Sequence, residues 1–250
     1  MKRVYRPTGH VIYEGPSLLD GMPIVCIATM KSRNEKTGDM VQTWILRSDI
    51  SPMEANRTGQ DYSICGECPS RGIPHARGKG VADERSCYVD LPKAPSNVWK
   101  TYKAGKYPRA IGHAAIAAVG RGRKVRIGAY GDGSAMPGYV TESLLSESAG
   151  HTAYSHQSGL AGSSYDPALY MVSADSLANA MLAWDAGART FRVVADYAEM
   201  VPGREIMCPS ESGVHCVACG LCNGTGKAPN AKSIAIRVHG AGAKHHAAGQ

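Results

Sequence analysis

Eight cysteines are the residues of this chain best suited to chemistry, and seven of them fall into two groups. Cys65, Cys68 and Cys87 form the first, and Cys208, Cys216, Cys219 and Cys222 form the second. Two residues between cysteines let both sulfurs converge on one ion while backbone amides point at them. Cys65-Gly-Glu-Cys68 has that spacing, as does each step of Cys216-Val-Ala-Cys219-Gly-Leu-Cys222. Four thiolates suit a tetrahedral zinc ion or a [4Fe–4S] cluster. The second group can therefore close a coordination shell unaided, with His215 as a further ligand or a supporting group. The first group is one ligand short. Either His75 completes a structural zinc site, or the fourth position stays open to a substrate or cofactor, as in catalytic centres. Arg71, Arg77, Lys79 and Arg85 flank this group and are expected to lower its thiolate pKa values and offset a cluster's charge. Cys26 stands apart in an apolar run and reads as a buried, inert thiol.

Cysteines read as ligands before disulfides where thiols stay reduced. The opening residues MKRVYRPTGHVIYEG hold no apolar stretch of signal-peptide length. No apolar run reaches the roughly 18 residues of a membrane span. A cytoplasmic location without membrane association is the expectation, and a secreted disulfide framework is the rival reading.

These residues need a frame to position them. The 250 residues, 43% of them hydrophobic, suffice for one large domain or two small ones. Residues 1–50 are β-rich: VIYEG, MPIVCIATM and MVQTWILRS carry apolar and β-branched runs and predict an N-terminal β-hairpin. Residues 51–93 read as irregular and hold the first cysteine loop, 65–87. Ser96 is the expected cap of a helix through NVWKTYKAG, and a second helix covers RAIGHAAIAAVGRG. From residue 124 strands and helices alternate. KVRIGAY, HTAYS, ALYMVSA and RTFRVVA read as strands. PGYVTESLLSES reads as a helix, and SLANAMLAWDAG as another capped by Asp175 or Ser176. Such alternation indicates parallel βαβ units. The expected fold is α/β: a partial (β/α) barrel resembling a TIM barrel, or an open parallel sheet, over residues 51–240. Regularity stops after Pro202, where the second cysteine loop, 208–222, begins. SIAIRVH is a last strand, and 241–250 reads as a flexible tail whose His245 and His246 are bystanders.

In parallel α/β folds ligands bind at the carboxyl ends of the strands. Asp132, His156 with Gln157, Asp175 and Asp196 follow successive predicted strands. Asp132, His156 and Asp175 are the candidate catalytic residues. Gly131-Asp132-Gly133 is the candidate ligand-binding turn, since flanking glycines let a ligand approach the backbone. Asp132 and Asp175 have plain structural readings too, as a turn residue and a helix cap.

Charge is concentrated. Residues 71–126 hold thirteen Arg and Lys side chains against three carboxylates, while the rest of the chain is slightly acidic. Such a segment attracts nucleic acid or another polyanion, or is simply a solvated face.

Three partial likenesses bear on the metal. Cys219-Gly-Leu-Cys222-Asn-Gly-Thr-Gly resembles one knuckle of the DnaJ-type zinc module, which repeats a knuckle present here once. Cys-x2-Cys-x2-Cys resembles half of a bacterial ferredoxin, with Cys208 in place of the usual downstream cysteine. More broadly, several motifs together resemble a family of small phage-encoded cysteine-rich proteins distantly related to radical SAM enzymes. These are Cys87-Tyr88-Val89, a strand before Gly131-Asp132, Ala153-Tyr154-Ser155, and Cys208-Pro209 with the later cysteines before Val238-His239-Gly240. The resemblance covers roughly residues 60–240. It implies a [4Fe–4S] cluster on Cys65, Cys68 and Cys87 whose unique iron takes S-adenosylmethionine, with the methionine group against Gly131-Asp132-Gly133. It also implies an auxiliary cluster on the C-terminal four, and a phage-infected host cell as the setting. The spacing departs from the radical SAM pattern Cys-x3-Cys-x2-Cys, with gaps here of two and eighteen residues. The expectation is a metal-cluster protein, a radical-SAM-like iron–sulfur enzyme whose substrate is not readable from the sequence, with the basic segment pointing toward a nucleotide or nucleic acid. The alternative is a zinc-binding nucleic-acid-binding or accessory protein without catalysis.

Overall fold

The structure, a computed structural model, describes residues 7–32, 34–226, 230–240 and 243–246. It is a mixed α/β fold with two five-stranded sheets. The first sheet runs β1 (Gly9–Pro16), β2 (Pro23–Thr29), β3 (Val41–Arg47), β4 (Lys124–Tyr130) and β5 (Gly150–Thr152). Its first three strands are antiparallel neighbours, and β3–β4 and β4–β5 are parallel. Ile24, Val25, Cys26, Ile27 and Ala28 of β2 are all buried, so both faces of this central strand are apolar instead of alternating. Burial pushes the Cys26 thiol far up from its ordinary range, in keeping with an inert group.

The second sheet is wholly parallel: β6 (Tyr154–Ser155), β7 (Met171–Ala174), β8 (Thr190–Val194), β10 (Ser233–Arg237) and β9 (Glu205–Met207), in that spatial order. The expected strand HTAYS is shared between the sheets. Its first part ends one sheet, its last part begins the other, and Ala153 is the joint. The Ala153 amide donates to the Cys222 carbonyl at 2.8 Å, and its carbonyl accepts from Met171 at 3.0 Å. The second cysteine loop thus holds the point where the sheets meet.

Eight α-helical segments surround the strands among the described residues: α1 (Pro52–Arg57), α2 (Tyr62–Cys65), α3 (Ala94–Lys103), α4 (His113–Gly120), α5 (Gly138–Leu145), α6 (Leu177–Asp185), α7 (Cys216–Cys219) and α8 (Ala243–His246). Three local expectations are corrected. Residues 51–93 are not wholly irregular, because the Ser51 hydroxyl caps α1 and α2 carries Cys65. Ser96 is not a cap: it lies inside α3 and turns its hydroxyl back to the Leu91 carbonyl at 2.7 Å, while Lys93 takes the N-cap. The segment after Pro202 contains β9, whose three residues give no readable alternation. What holds β9 is a buried ion pair, Glu205 with Arg192 of β8 at 2.7 Å. Part of the expected tail, 243–246, is a helical turn, and 241–242 and 247–250 lie outside the described residues.

Two connections matter for function. The first cysteine loop lies within the crossover from β3 to β4, and the second is the crossover from β9 to β10. Among the described residues no helix is long and apolar enough to cross a membrane.

Candidate metal centres

Cys65 ends α2, and the chain turns at Gly66 with φ 51°. Gln157, just beyond β6, splints this turn. Its Nε2 donates to the Cys65 carbonyl at 2.8 Å, and its Oε1 accepts from the Glu67 amide at 3.2 Å. A Cβ on Gly66 would lie 2.2 Å from that Oε1, so only glycine admits the splint. The Cys68 amide then donates to the Cys65 carbonyl at 3.2 Å, and the Cys87 amide to the Ser70 carbonyl at 3.1 Å. Arg71 ties the loop to its base: its guanidinium grips Asp61 at 3.0 and 2.7 Å and donates to the carbonyls of Gly59 and Gly66.

The histidine at these thiols is His156, not His75. His75 turns both ring nitrogens to carbonyls of its own loop, Arg77 at 2.6 Å and Val81 at 3.1 Å. His156 lies within electrostatic reach of Cys68, and its Nε2 faces Asp175 Oδ1 at 3.2 Å. Burial pushes its imidazole down, but the Cys68 thiolate and the bond to Asp175 push it up further, well above the ordinary range. A histidine backed by a carboxylate is the usual form of a metal-ligating imidazole. Ser176, rather than Asp175, caps α6, which leaves the Asp175 carboxylate for His156.

Asp132 positions this arrangement from beneath. It is 7% exposed. One carboxylate oxygen accepts from the Ser134 amide at 3.0 Å and hydroxyl at 2.8 Å. The other accepts from Ser155 Oγ at 3.0 Å, the His156 amide at 2.9 Å and Gln157 Nε2 at 3.4 Å. Its own amide donates to the Ile64 carbonyl at 2.6 Å, next to Cys65. The close approach allowed by the flanking glycines is made by the protein itself. A Cβ on Gly131 would meet the Ile45 carbonyl at 2.6 Å, and one on Gly133 would meet Ile127 at 2.4 Å. Asp196 caps the turn after β8 through the Ala198 amide at 2.7 Å.

The second group is more local. Cys208 follows β9, and its amide donates to the Ala235 carbonyl at 2.8 Å. Cys216 and Cys219 open and close α7, which ends at Gly220 in the left-handed region. Exposed His215 precedes α7 at its N-cap and accepts there through its carbonyl from Ala218 and Cys219. Cys208 and Cys222 are buried with Met171, Ile234 and Ile236 in a small core of their own. Burial raises the Cys222 thiol to about 12; a hydrogen bond from Tyr154 opposes this, and the charges of Cys208, Cys219 and Cys216 add to it. Burial also raises Cys216, against the charge of Arg126.

Neighbouring cations act on the first group's thiols in the expected direction, but burial outweighs them. Burial raises Cys65 well above its usual range, helped by the charges of Asp61, Cys68 and Cys87, and Arg71 opposes this only weakly. Burial likewise raises Cys87 against Arg85. Arg71 is committed to Asp61, and Arg85 donates to the carbonyls of Cys87 and Val89. The basic segment is spent in the same way elsewhere. Lys93, Arg109 and Arg121 pair with carboxylates. Lys103, Arg123 and Lys124 reach backbone carbonyls, and Arg126 donates to the Tyr88 hydroxyl. Arg77, Lys79, Lys100 and Lys106 are the remaining four of the thirteen.

All eight cysteines are free thiols. Among the described residues no three or more His, Cys, Asp or Glu side chains are arranged to hold a metal ion as they stand. The donor chemistry nevertheless fits such a group: three thiols with a carboxylate-backed imidazole at one centre, and four thiols at the other. Two cavities of about 280 and 270 Å³ lie elsewhere, and no cysteine lines either.

The chain matches no family model, no curated protein and no solved structure. The radical-SAM-like resemblance therefore rests on the quoted motifs alone.

Proposed function

We propose that this chain binds metal at both cysteine groups, through Cys65, Cys68, Cys87 and His156 at one centre and Cys208, Cys216, Cys219 and Cys222 at the other. The observation that carries this reading is His156. It comes to the neighbourhood of Cys68 from far along the chain, with Asp175 behind it, which supports it as a fourth donor beside the three thiols of the first group. Zinc is the metal best suited to a donor set of three thiolates and an imidazole, and to one of four thiolates. It would staple each crossover to its sheet. Binding would release the thiol protons, and the charge of the ion would offset the repulsion between the resulting thiolates.

A second reading has a specific observation in its favour. The first group lies over the carboxyl ends of parallel strands β4, β6 and β7, where Asp132, His156 and Asp175 also stand. That edge is where α/β enzymes place their chemistry. An iron–sulfur enzyme on a partial barrel, using S-adenosylmethionine at a [4Fe–4S] cluster, would use that position with His156 displaced from the shell. Under this reading a nucleotide or nucleic acid is the substrate class, approached through the basic segment.

Metal analysis with absorption spectroscopy on protein purified without oxygen separates the readings. Two equivalents of zinc in colourless protein, falling to one in His156→Ala, is the expected result. Brown protein with iron and sulfide, absorbing near ~400 nm as iron–sulfur clusters do, favours the enzyme. Metal-free protein after expression with zinc and iron rejects both.

A further inference from the structure

The 270 Å³ cavity lies away from the cysteines, at the amino-terminal edge of β8 and β10. Trp184, Arg189, Arg204, Asn230, Lys232 and Ser233 are among its lining residues, and no carboxylate lines it. Arg189 is 3% exposed, yet its guanidinium meets only neutral acceptors. Nη1 donates to Asn223 Oδ1 at 3.2 Å and the Gly224 carbonyl at 2.8 Å, and Nη2 donates to the Lys232 carbonyl at 2.8 Å. Its Nε is buried with no hydrogen-bond partner. Burial pushes the guanidinium below its ordinary range, opposed only in part by the Cys222 thiol. A buried charge without a counter-charge is costly, and so is a buried donor without an acceptor.

The rest of the lining has the same bias. Ser233 Oγ accepts from Trp184 Nε1 and the Thr190 amide, both at 2.9 Å, which leaves its hydroxyl proton to donate. Arg204 lies over the Trp184 ring, 6.0 Å from its centroid. Among the described residues neither Arg189, Arg204 nor Lys232 belongs to an ion pair. Three cations therefore line one cavity, and among the described residues no carboxylate lines it.

We propose that this cavity binds a tetrahedral oxyanion, either free phosphate or the head group of a phosphate monoester. Arg204 and Lys232 hold the anion at the exposed rim, and Arg189 adds its buried charge from the wall behind them. None of these residues is a proposed metal donor; Arg189 feels the charge of Cys222, so the titration is made on protein of known metal content.

Calorimetric titration of the full chain at constant ionic strength tests it. The probes are inorganic phosphate and ribose 5-phosphate, with chloride as the control. Saturable one-to-one binding to at least one phosphate probe, and none to chloride, is expected. Losing one charge-assisted contact in Arg204→Ala or in Lys232→Ala should weaken binding about tenfold. Both side chains are exposed, so the variants should keep the wild-type circular dichroism spectrum, which is measured alongside. Tighter binding of the ester assigns the site to a phosphorylated metabolite, and tighter binding of phosphate assigns it to the free anion. No saturable heat with either probe, or affinity unchanged in both variants, overturns the proposal.

Discussion

The first cysteine group sits within the long β3–β4 crossover, residues 48–123, whereas the second occupies the short β9–β10 crossover, residues 208–232. Cys65 and Cys68 share one turn, Cys87 comes from a separate stretch, and His156 from the end of β6. A polar network of Asp132, Ser155, Gln157, Asp61 and Arg71 ties these segments to one another. The second group draws all four thiols from one stretch, and two of them are buried in an apolar core with Met171, Ile234 and Ile236. A donor set gathered from distant segments depends on tertiary positioning. A donor set spaced along one segment depends on its anchor strands. The two centres should therefore fail separately, and for different reasons.

The largest effect should come from the second region's anchor. Glu205→Ala leaves Arg192 buried and unpaired, which costs about 3–5 kcal/mol. Denaturant unfolding should show that loss, and metal analysis should find the second centre emptied first because Cys208 follows β9 directly. A stability change under about 1 kcal/mol, the scale of an exposed pair, would mean β9 is held by something other than this pair.

Asp132→Ala should cost about 2–3 kcal/mol, since several buried donors lose one charged acceptor. Here the first centre should empty and the second remain loaded, the opposite of Glu205→Ala. Loss of both centres together would show that the two regions are one cooperative unit.

Gly66→Ala should cost about 1–3 kcal/mol, because the new Cβ strikes the Gln157 amide at a backbone angle that favours glycine. Hydrogen exchange should quicken around residues 65–72 and stay unchanged around 208–222. Equal quickening in both would dissolve the contrast.

The smallest effect on stability and the sharpest on metal belongs to the histidines. His156→Ala should release one equivalent of metal. His75→Ala should release none and shift stability by only about 0.5 kcal/mol, as surface substitutions do. If His75→Ala releases the metal instead, the first centre is the local one that sequence spacing suggested.

Much of the frame was legible in the chain. The β-branched runs before residue 50 became β1–β3, and the alternation after residue 124 became parallel strands with α5 and α6 between them. Those signals are periodic and local, so they survive without knowledge of neighbours. β9 was not legible, because three residues around a buried glutamate carry no apolar pattern. The cap of α3 was misread because Ser96 satisfies a carbonyl outside the helix instead of an amide within it. Asp132 and His156 were visible as strand-end residues, but the partners that decide what they do were not.

The sequence by itself determined the second cysteine group. Its spacing lets four sulfurs converge on one ion, and spacing is a property of the chain. It also determined that the first group lacks a donor. Only the tertiary structure decided which histidine stands at that gap. His75 is near in sequence but turned to its own loop's carbonyls, whereas His156 is carried to Cys68 by β6 and fixed there by Asp132 and Asp175. Side-chain proximity across a sheet depends on strand order, and strand order is set by packing of the whole core, which no local spacing encodes.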